Sequence, residues 1–189
     1  RLFVHLNNGQ ASVDDLSRDG AWMIYNSQNK DTNWDLWALP MNGADPKPIP
    51  LARTKFAEFG ASLSPDGKFL AYRSNEAGRG EIYVQEFPEA RSKRQVSANG
   101  GADPFWKGDG RELYYRGPDN RIMAAPVKTG ATFESGTAQA LIKAPFALIT
   151  ARGLCRPSRD GQRFPVLQTL GREPIPPLTV VLNWAAALN

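Results

Sequence analysis

The sequence is poor in the residues that build most metal and redox sites. Its 189 residues include one cysteine, Cys155, and one histidine, His5. A single cysteine excludes a disulfide within the chain and a metal site built from several cysteines, and a single histidine excludes most zinc sites. We interpret Cys155 as a core residue. We expect no serine-hydrolase triad, because His5 is the only imidazole that could serve as its base.

Long hydrophobic runs are also missing. No apolar stretch approaches the roughly 18 residues of a membrane-spanning helix, and no cleavable signal is recognisable near Arg1. We therefore predict no membrane span and no signal peptide in this chain. These observations leave the cellular compartment open.

The charge is positive but dispersed. The formal net charge is +4 and the isoelectric point is about 9.3. Because no module of interleaved aromatic and basic residues accompanies this charge, we predict no binding of nucleic acid. Hydrophobic residues make up 41% of the chain and charged residues 22%, which is typical of a folded globular domain.

A short motif that ends in Asp-Gly occurs four times. Its glycines are Gly20, Gly67, Gly110 and Gly161, so successive copies are 47, 43 and 51 residues apart. A period of this length favours a repeat architecture whose unit is a four-stranded propeller blade. In each copy the aspartate and glycine are typical of a tight turn between two strands. We give this interpretation to Asp19, Asp66, Asp109 and Asp160.

The second repeat shows the predicted blade most clearly. Residues 59–63 form a short inner strand, Ser64-Pro65-Asp66-Gly67 forms the turn, and residues 68–74 and 81–87 alternate in polarity as strands do. Residues 93–97 supply the outer strand. The sequence therefore predicts an all-β propeller with four four-stranded blades.

The predicted repeats span about 11–55, 56–100, 101–148 and 149–189. The fourth ends after its third strand, and we predict that residues 1–10 form a strand that completes this last blade and closes the ring. The alternative is half of a larger propeller that is completed by dimerisation. Because a half-ring leaves apolar blade faces uncovered, it predicts a homodimer.

Two segments carry a family resemblance. Ser64–Tyr72 together with Glu81–Val84 resembles the TolB-like propeller repeat. Ser158–Phe164 together with Leu178–Trp184 is similar to the end of the propeller at the C-terminus of certain bacterial membrane-anchored serine/threonine protein kinases. The resemblance implies a propeller fold, the sensor end of a bacterial signalling protein, and an extracytoplasmic location if the chain belongs to such a kinase. No kinase motif occurs in the sequence itself.

Three groups of residues are candidate sites. Asp31, Asn33 and Asp35 share the start of a calcium-binding loop, although Leu36 replaces the glycine that this loop needs; alternatively, Asp35 opens the third strand of its blade as Glu81 does. Candidate catalytic carboxylates are Asp15, Glu58 and Asp103, which precede or begin the inner strands. We expect them to point into the central tunnel of the propeller, where they could act as general acid and base. Alternatively, they accept hydrogen bonds from the backbone of a blade. Candidate ligand-binding residues are Arg152, Arg156 and Trp106. Alternatively, the two arginines line a solvated face and Trp106 packs between blades.

We predict from these features a binding or interaction module for a protein or small-molecule ligand. The alternative function is a hydrolase that uses tunnel carboxylates, with a divalent cation such as calcium. Apart from such a cation, no cofactor is expected.

Overall fold

Short strands joined by tight turns make up the fold. The computed structural model describes residues 10–43, 45–143, 158, 163–166 and 179–181. The strands are β1 (Ala11–Leu16), β2 (Trp22–Asn29), β3 (Asn33–Pro40), β4 (Ile49–Ala52), β5 (Glu58–Leu63), β6 (Phe69–Ser74), β7 (Glu81–Glu86), β8 (Arg94–Gln95), β9 (Ala102–Trp106), β10 (Glu112–Arg116), β11 (Arg121–Thr129), β12 (Phe133–Ser135), β13 (Gln139–Lys143), β14 (Phe164–Val166) and β15 (Thr179–Val181). A 3-10 turn, Pro118–Asn120, joins β10 to β11.

These strands form three successive antiparallel sheets, which we call the first, second and third blades. The first has the order β1-β2-β3-β4 and the second β5-β6-β7-β8. In the third, β9, β10 and β11 follow in order, and the outer position is shared by β13, which pairs with the start of β11, and β12, which pairs with its end. The strands β14 and β15 pair as a two-stranded antiparallel sheet. The predicted all-β class is confirmed.

The predicted Asp-Gly turns at Gly20, Gly67 and Gly110 join the inner strand of each blade to its second strand, and the fourth, Asp160-Gly161, lies outside the described residues. The backbone N–H of Gly67 donates to the carbonyl of Ser64 at 2.9 Å, and Gly67 has a φ of +71°, which glycine adopts without steric cost. In the same turn the Asp66 carboxylate accepts hydrogen bonds from the Ser64 hydroxyl and the Lys68 backbone N–H. The turn therefore satisfies its own polar groups, as its composition predicts.

Apolar side chains on the blade faces pack against the neighbouring blade. One buried cluster lies between the first and second blades and includes Ile24, Leu36, Leu51, Leu63, Leu70, Tyr72 and Tyr83. A second lies between the second and third blades and includes Phe69, Ile82, Val84, Trp106, Leu113 and Tyr115. Since successive side chains of a strand point to opposite faces, β6 and β7 contribute to both clusters. The three blades are therefore held face to face by two apolar interfaces.

Part of the predicted ring falls outside the described residues. Residues 1–9, which contain nearly all of the predicted closing strand, are outside them, as is most of the repeat predicted at 149–189. The four-blade ring and its completion by the N-terminal strand therefore stay predictions.

Candidate functional site

The aspartates of the inner strand β1 bind the backbone of the next blade. The carboxylate of Asp14 accepts a hydrogen bond from the Asn26 side chain at 2.7 Å and one from the backbone N–H of Ala61 at 3.1 Å. The carboxylate of Asp15 accepts from the backbone N–H of Leu63 at 2.9 Å. These bonds connect β1 to β5, so the structure places both aspartates in contacts that join the first two blades.

Glu58 begins β5 and is buried between the first and second blades. Its side chain is 1% exposed. One carboxylate oxygen accepts a hydrogen bond from the Thr54 hydroxyl, and the other, Oε2, is buried without a hydrogen-bond partner among the described residues. Burial raises the pKa of Glu58, hydrogen bonds from Thr54 offset part of this effect, and the negative charge of Asp35 raises the pKa further. A candidate catalytic residue and a candidate metal ligand therefore lie on strands that pack against each other, β5 and β3.

Asp35 lies in β3 and is fully buried. Its Oδ2 accepts a hydrogen bond from the Thr32 hydroxyl at 2.8 Å and lies 3.8 Å from Nε of Arg53. Its Oδ1 is buried and has no hydrogen-bond partner in the described part of the chain. Burial raises the pKa of Asp35, and the Thr32 bond and the Arg53 charge offset only part of that effect.

The other two residues of the predicted calcium loop do not converge with Asp35. Asp31 and Asn33 are exposed at the β2–β3 turn, whereas Asp35 points into the interior. The backbone N–H of Asp31 donates to the Asn29 side chain, which is a local turn contact. Over the described ranges, no group of three or more His, Cys, Asp or Glu side chains is arranged to hold a metal ion.

Glu81 occupies in the second blade the position that Asp35 occupies in the first. The cross-strand partner of Asp35 is Ser27, and that of Glu81 is Ser74, at matching points of the two blades. Glu81 is buried, and it accepts hydrogen bonds from Arg79 Nε at 2.6 Å, the Gly100 backbone N–H at 2.9 Å and the Ser97 hydroxyl. Burial raises its pKa, but these bonds lower it more, so the pKa lies below its ordinary value.

A second polar group lies where the second and third blades meet. Asp103, which begins the third blade, forms an ion pair with Arg116, with 2.8 Å between Oδ2 and Nε. The guanidinium of Arg73 in β6 lies over the ring of its cross-strand partner Phe59, 4.7 Å from the ring centroid. We call Phe59, Arg73, Asp103 and Arg116 the arginine cluster.

The charge of Arg73 is poorly compensated. Its Nε is buried and has no hydrogen-bond acceptor among the described residues. Burial lowers the pKa of Arg73, the carboxylate of Asp103 counteracts this, and the positive charge of Arg116 lowers it again. Gly80 packs directly against this side chain, because a Cβ atom there would lie 2.1 Å from Arg73 Nε.

The candidate ligand-binding residues lie in different surroundings. Trp106 is buried, and its indole Nε1 donates to the carbonyl of Ser62 at 3.0 Å, which joins the third blade to the second. Arg152 and Arg156 lie outside the described residues, as do His5 and Cys155. The sequence analysis did not select Arg73. Its only local signal is that an arginine directly follows the apolar segment Phe69–Tyr72 within the same strand.

Solved structures share this fold. TolB from Acinetobacter baumannii is 15% identical, with a TM-score of 0.68 over 93% of this chain and 41% of its own. A putative TolB from Agrobacterium tumefaciens is 18% identical, with a TM-score of 0.54 over 80% of this chain and 51% of its own. The β-propeller domain of the trilobed protease from Pyrococcus furiosus, which has an open velcro topology, is 18% identical, with a TM-score of 0.51 over 90% of this chain and 53% of its own.

These similarities confirm the predicted β-propeller fold and its TolB-like character at the level of structure. The chain spans about half or less of the length of these proteins. No family model matches the sequence, and no curated protein matches it. Among the described residues, no helix has the length and apolar character needed to cross a membrane. The chain has the fold of a TolB-like β-propeller.

Proposed function

We propose that this propeller is a binding module and that its arginine cluster receives a carboxylate group of an acidic protein partner. The observation that supports the proposal is the state of Arg73. Its guanidinium is held over Phe59, lies near a second guanidinium, and has a buried Nε with no acceptor in the described part of the chain. A carboxylate from a partner would supply the missing negative charge.

A guanidinium is well suited to this ligand. Its planar set of N–H donors matches the two oxygens of a carboxylate, and such charge-assisted bonds are stronger than neutral ones. The cluster holds two arginines and one aspartate, so it carries a net positive charge. The aromatic ring of Phe59 limits the movement of Arg73, which reduces the entropy lost on binding.

Binding is favoured over hydrolysis because the candidate catalytic carboxylates are already engaged. Asp15 accepts from backbone of β5, Glu58 is 1% exposed, and Asp103 is paired with Arg116. A general acid or base must reach the reacting group of its substrate. With a panel of ester, lactone and phosphodiester substrates, we expect no turnover that depends on these three residues. Turnover that disappears when they are mutated would establish the hydrolase instead.

The binding test uses a fluorescein-labelled hexaglutamate peptide, with hexaglutamine of equal length as the uncharged comparison. Fluorescence anisotropy should show saturable binding of hexaglutamate only, with an affinity that falls as salt rises. Arg73→Met should weaken binding at least tenfold, about 1.4 kcal/mol. Arg73→Lys should restore little of it, because lysine lacks the planar fork.

Two further variants test whether hexaglutamate binds the arginine cluster or is attracted by the positive charge of the chain in general. Gly80→Ala changes no charge but displaces the end of the Arg73 side chain, so it should weaken binding while the thermal midpoint stays nearly unchanged. Lys128→Met removes an exposed cation of β11 and should leave binding unchanged. Equal losses in Arg73→Met and Lys128→Met, no binding of hexaglutamate, or full competition by inorganic phosphate at low concentration would each refute a carboxylate site.

The signalling context belongs to the same proposal. It is supported by the resemblance of Ser158–Phe164 and Leu178–Trp184 to the ends of kinase-linked propellers. In that context the module is the sensor end of a bacterial signalling protein, and the acidic partner is its extracytoplasmic signal.

A further inference from the structure

The interface between the first and second blades contains two carboxylates that are withdrawn from water. Asp35 comes from β3 and is fully buried, and Glu58 comes from the start of β5 and is 1% exposed. In each residue, one carboxylate oxygen accepts a hydrogen bond from a nearby threonine hydroxyl, which is Thr32 for Asp35 and Thr54 for Glu58. The remaining oxygens, Asp35 Oδ1 and Glu58 Oε2, are buried without a hydrogen-bond partner among the described residues.

Two buried carboxylates destabilise the fold when neither a hydrogen-bond donor nor a cation compensates their unpaired oxygens. A buried acceptor without a donor loses its hydration and gains nothing in return, and two carboxylates near each other repel. Burial is the main reason that the pKa of each residue is raised, and for Glu58 the charges of Asp35 and Glu76 add to it.

The nearby cation compensates only one side of the pair. The guanidinium of Arg53 lies 3.8 Å from Asp35 Oδ2, and its side chain is half exposed. This contact is to the oxygen that already accepts from Thr32 and not to Oδ1. The two unpaired oxygens therefore remain available to a further positive charge.

We propose that Asp35 and Glu58 bind a calcium ion between the first and second blades, through Asp35 Oδ1 and Glu58 Oε2. Both are hard oxygen donors of the kind that Ca²⁺ prefers. Ca²⁺ accepts an irregular set of six to eight oxygens, so hydroxyls, carbonyls and water can complete a shell of which two carboxylates are the charged part. Mg²⁺ fits poorly, because it gives up its water reluctantly and the site is nearly inaccessible to solvent.

This site differs from the calcium loop predicted at Asp31, Asn33 and Asp35. That loop draws all of its ligands from one hairpin, but Asp31 and Asn33 are exposed. The proposed pair instead joins two blades, because β3 and β5 pack against each other. A bound ion would therefore stabilise the contact between the blades.

The test is calorimetric titration of CaCl₂ into the whole chain after dialysis against EDTA, with thermal unfolding measured in parallel. We expect saturable binding at one site, a rise in the unfolding midpoint with added Ca²⁺, and at least tenfold weaker binding of Mg²⁺. Asp35→Asn and Glu58→Gln should each weaken Ca²⁺ binding at least tenfold and abolish the Ca²⁺-dependent rise in midpoint.

Matched controls locate the site. Asp31→Asn and Asp45→Asn remove exposed carboxylates and should leave Ca²⁺ binding unchanged. In EDTA the midpoints of Asp35→Asn and Glu58→Gln should equal or exceed that of the wild type, which shows that lost binding is not lost folding. No Ca²⁺ binding by the wild type, binding unaffected by Asp35→Asn, or binding abolished by Asp31→Asn would overturn the proposal.

Discussion

Two buried carboxylates at the same place in successive blades should respond in opposite ways to neutralisation. Asp35 and Glu81 are paired with Ser27 and Ser74 at matching points of their blades. Asp35 has one oxygen without a hydrogen-bond partner in the described part of the chain, whereas Glu81 has donors on both of its oxygens. The perturbation is the isosteric amide in each case, Asp35→Asn and Glu81→Gln.

The expected magnitudes follow from the bonds that each charge makes. The amide of Glu81→Gln replaces one acceptor oxygen with a donor, so one charge-assisted hydrogen bond is lost and two others weaken. With hydrogen bonds to charged groups worth roughly 1.5–3 kcal/mol, Glu81→Gln should lower the free energy of unfolding by about 2–4 kcal/mol. Asp35→Asn keeps an acceptor for Thr32 and loses only the contact with the half-exposed Arg53, worth roughly 0–1 kcal/mol, while it removes a buried charge. Its free energy of unfolding should equal the wild-type value or exceed it by about 1 kcal/mol.

The dependence on pH tests the same argument. The pKa of Glu81 is lowered by folding, so its stabilisation is present above the ordinary value of 4.5 and is lost as the pH falls through the lower folded pKa. The pKa of Asp35 is raised by folding, so its charge is unfavourable at neutral pH, and the wild type gains stability as the pH falls through the raised pKa towards 3.8. On acidification, the difference in the free energy of unfolding between each variant and the wild type should therefore shrink. The difference starts negative for Glu81→Gln and zero or positive for Asp35→Asn.

The assay is urea unfolding followed by tryptophan fluorescence, in EDTA at pH 7 and at steps down to about pH 3, so that the series crosses both windows. EDTA removes any cation, so that the intrinsic cost of each charge is measured. If Asp35→Asn destabilises the chain as much as Glu81→Gln does, the unpaired oxygen of Asp35 has no energetic consequence and the reasoning fails. A neutral effect of Glu81→Gln would refute it equally.

Two further predictions concern packing and assembly. Gly101→Ala should lower the free energy of unfolding by about 1–3 kcal/mol in the same urea assay, because the new Cβ would lie 2.6 Å from Ile82 and 2.8 Å from the Ser97 hydroxyl, both in crowded surroundings; an unchanged midpoint would contradict this. The chain should form a homodimer through the face that carries Val13 and Leu16, the large hydrophobic side chains that are exposed among the described residues. Light scattering should give twice the chain mass of 20.8 kDa, and Leu16→Glu should shift the protein to the monomer. A wild-type monomer at micromolar concentration would reject the dimer.

Local chemistry allowed much of the fold to be predicted from the sequence. The Asp-Gly turns need only neighbouring residues, since proline, aspartate and glycine satisfy the turn by themselves, and the structure contains the turn at Ser64–Gly67 with its expected hydrogen bonds. Alternating polarity then predicted the strands that follow. The equivalence of Asp35 with Glu81 was also visible in the sequence, because each lies near the start of the third strand of its repeat.

The candidate sites depended on contacts that the sequence does not encode locally. Asn33 stands at the start of β3 with a φ of +80° and is exposed, whereas Asp35, two residues later, is buried. The calcium loop at Asp31, Asn33 and Asp35 therefore stays a prediction. Glu58 and Asp35 share one interface only because two blades pack together, and Arg73 loses its solvent only because Phe59 and Gly80 cover it. The sequence by itself determined the repeat, its turns and the all-β fold, since these follow from short-range preferences. Only the tertiary structure decided which charges are buried and unpaired, since burial depends on residues from other blades.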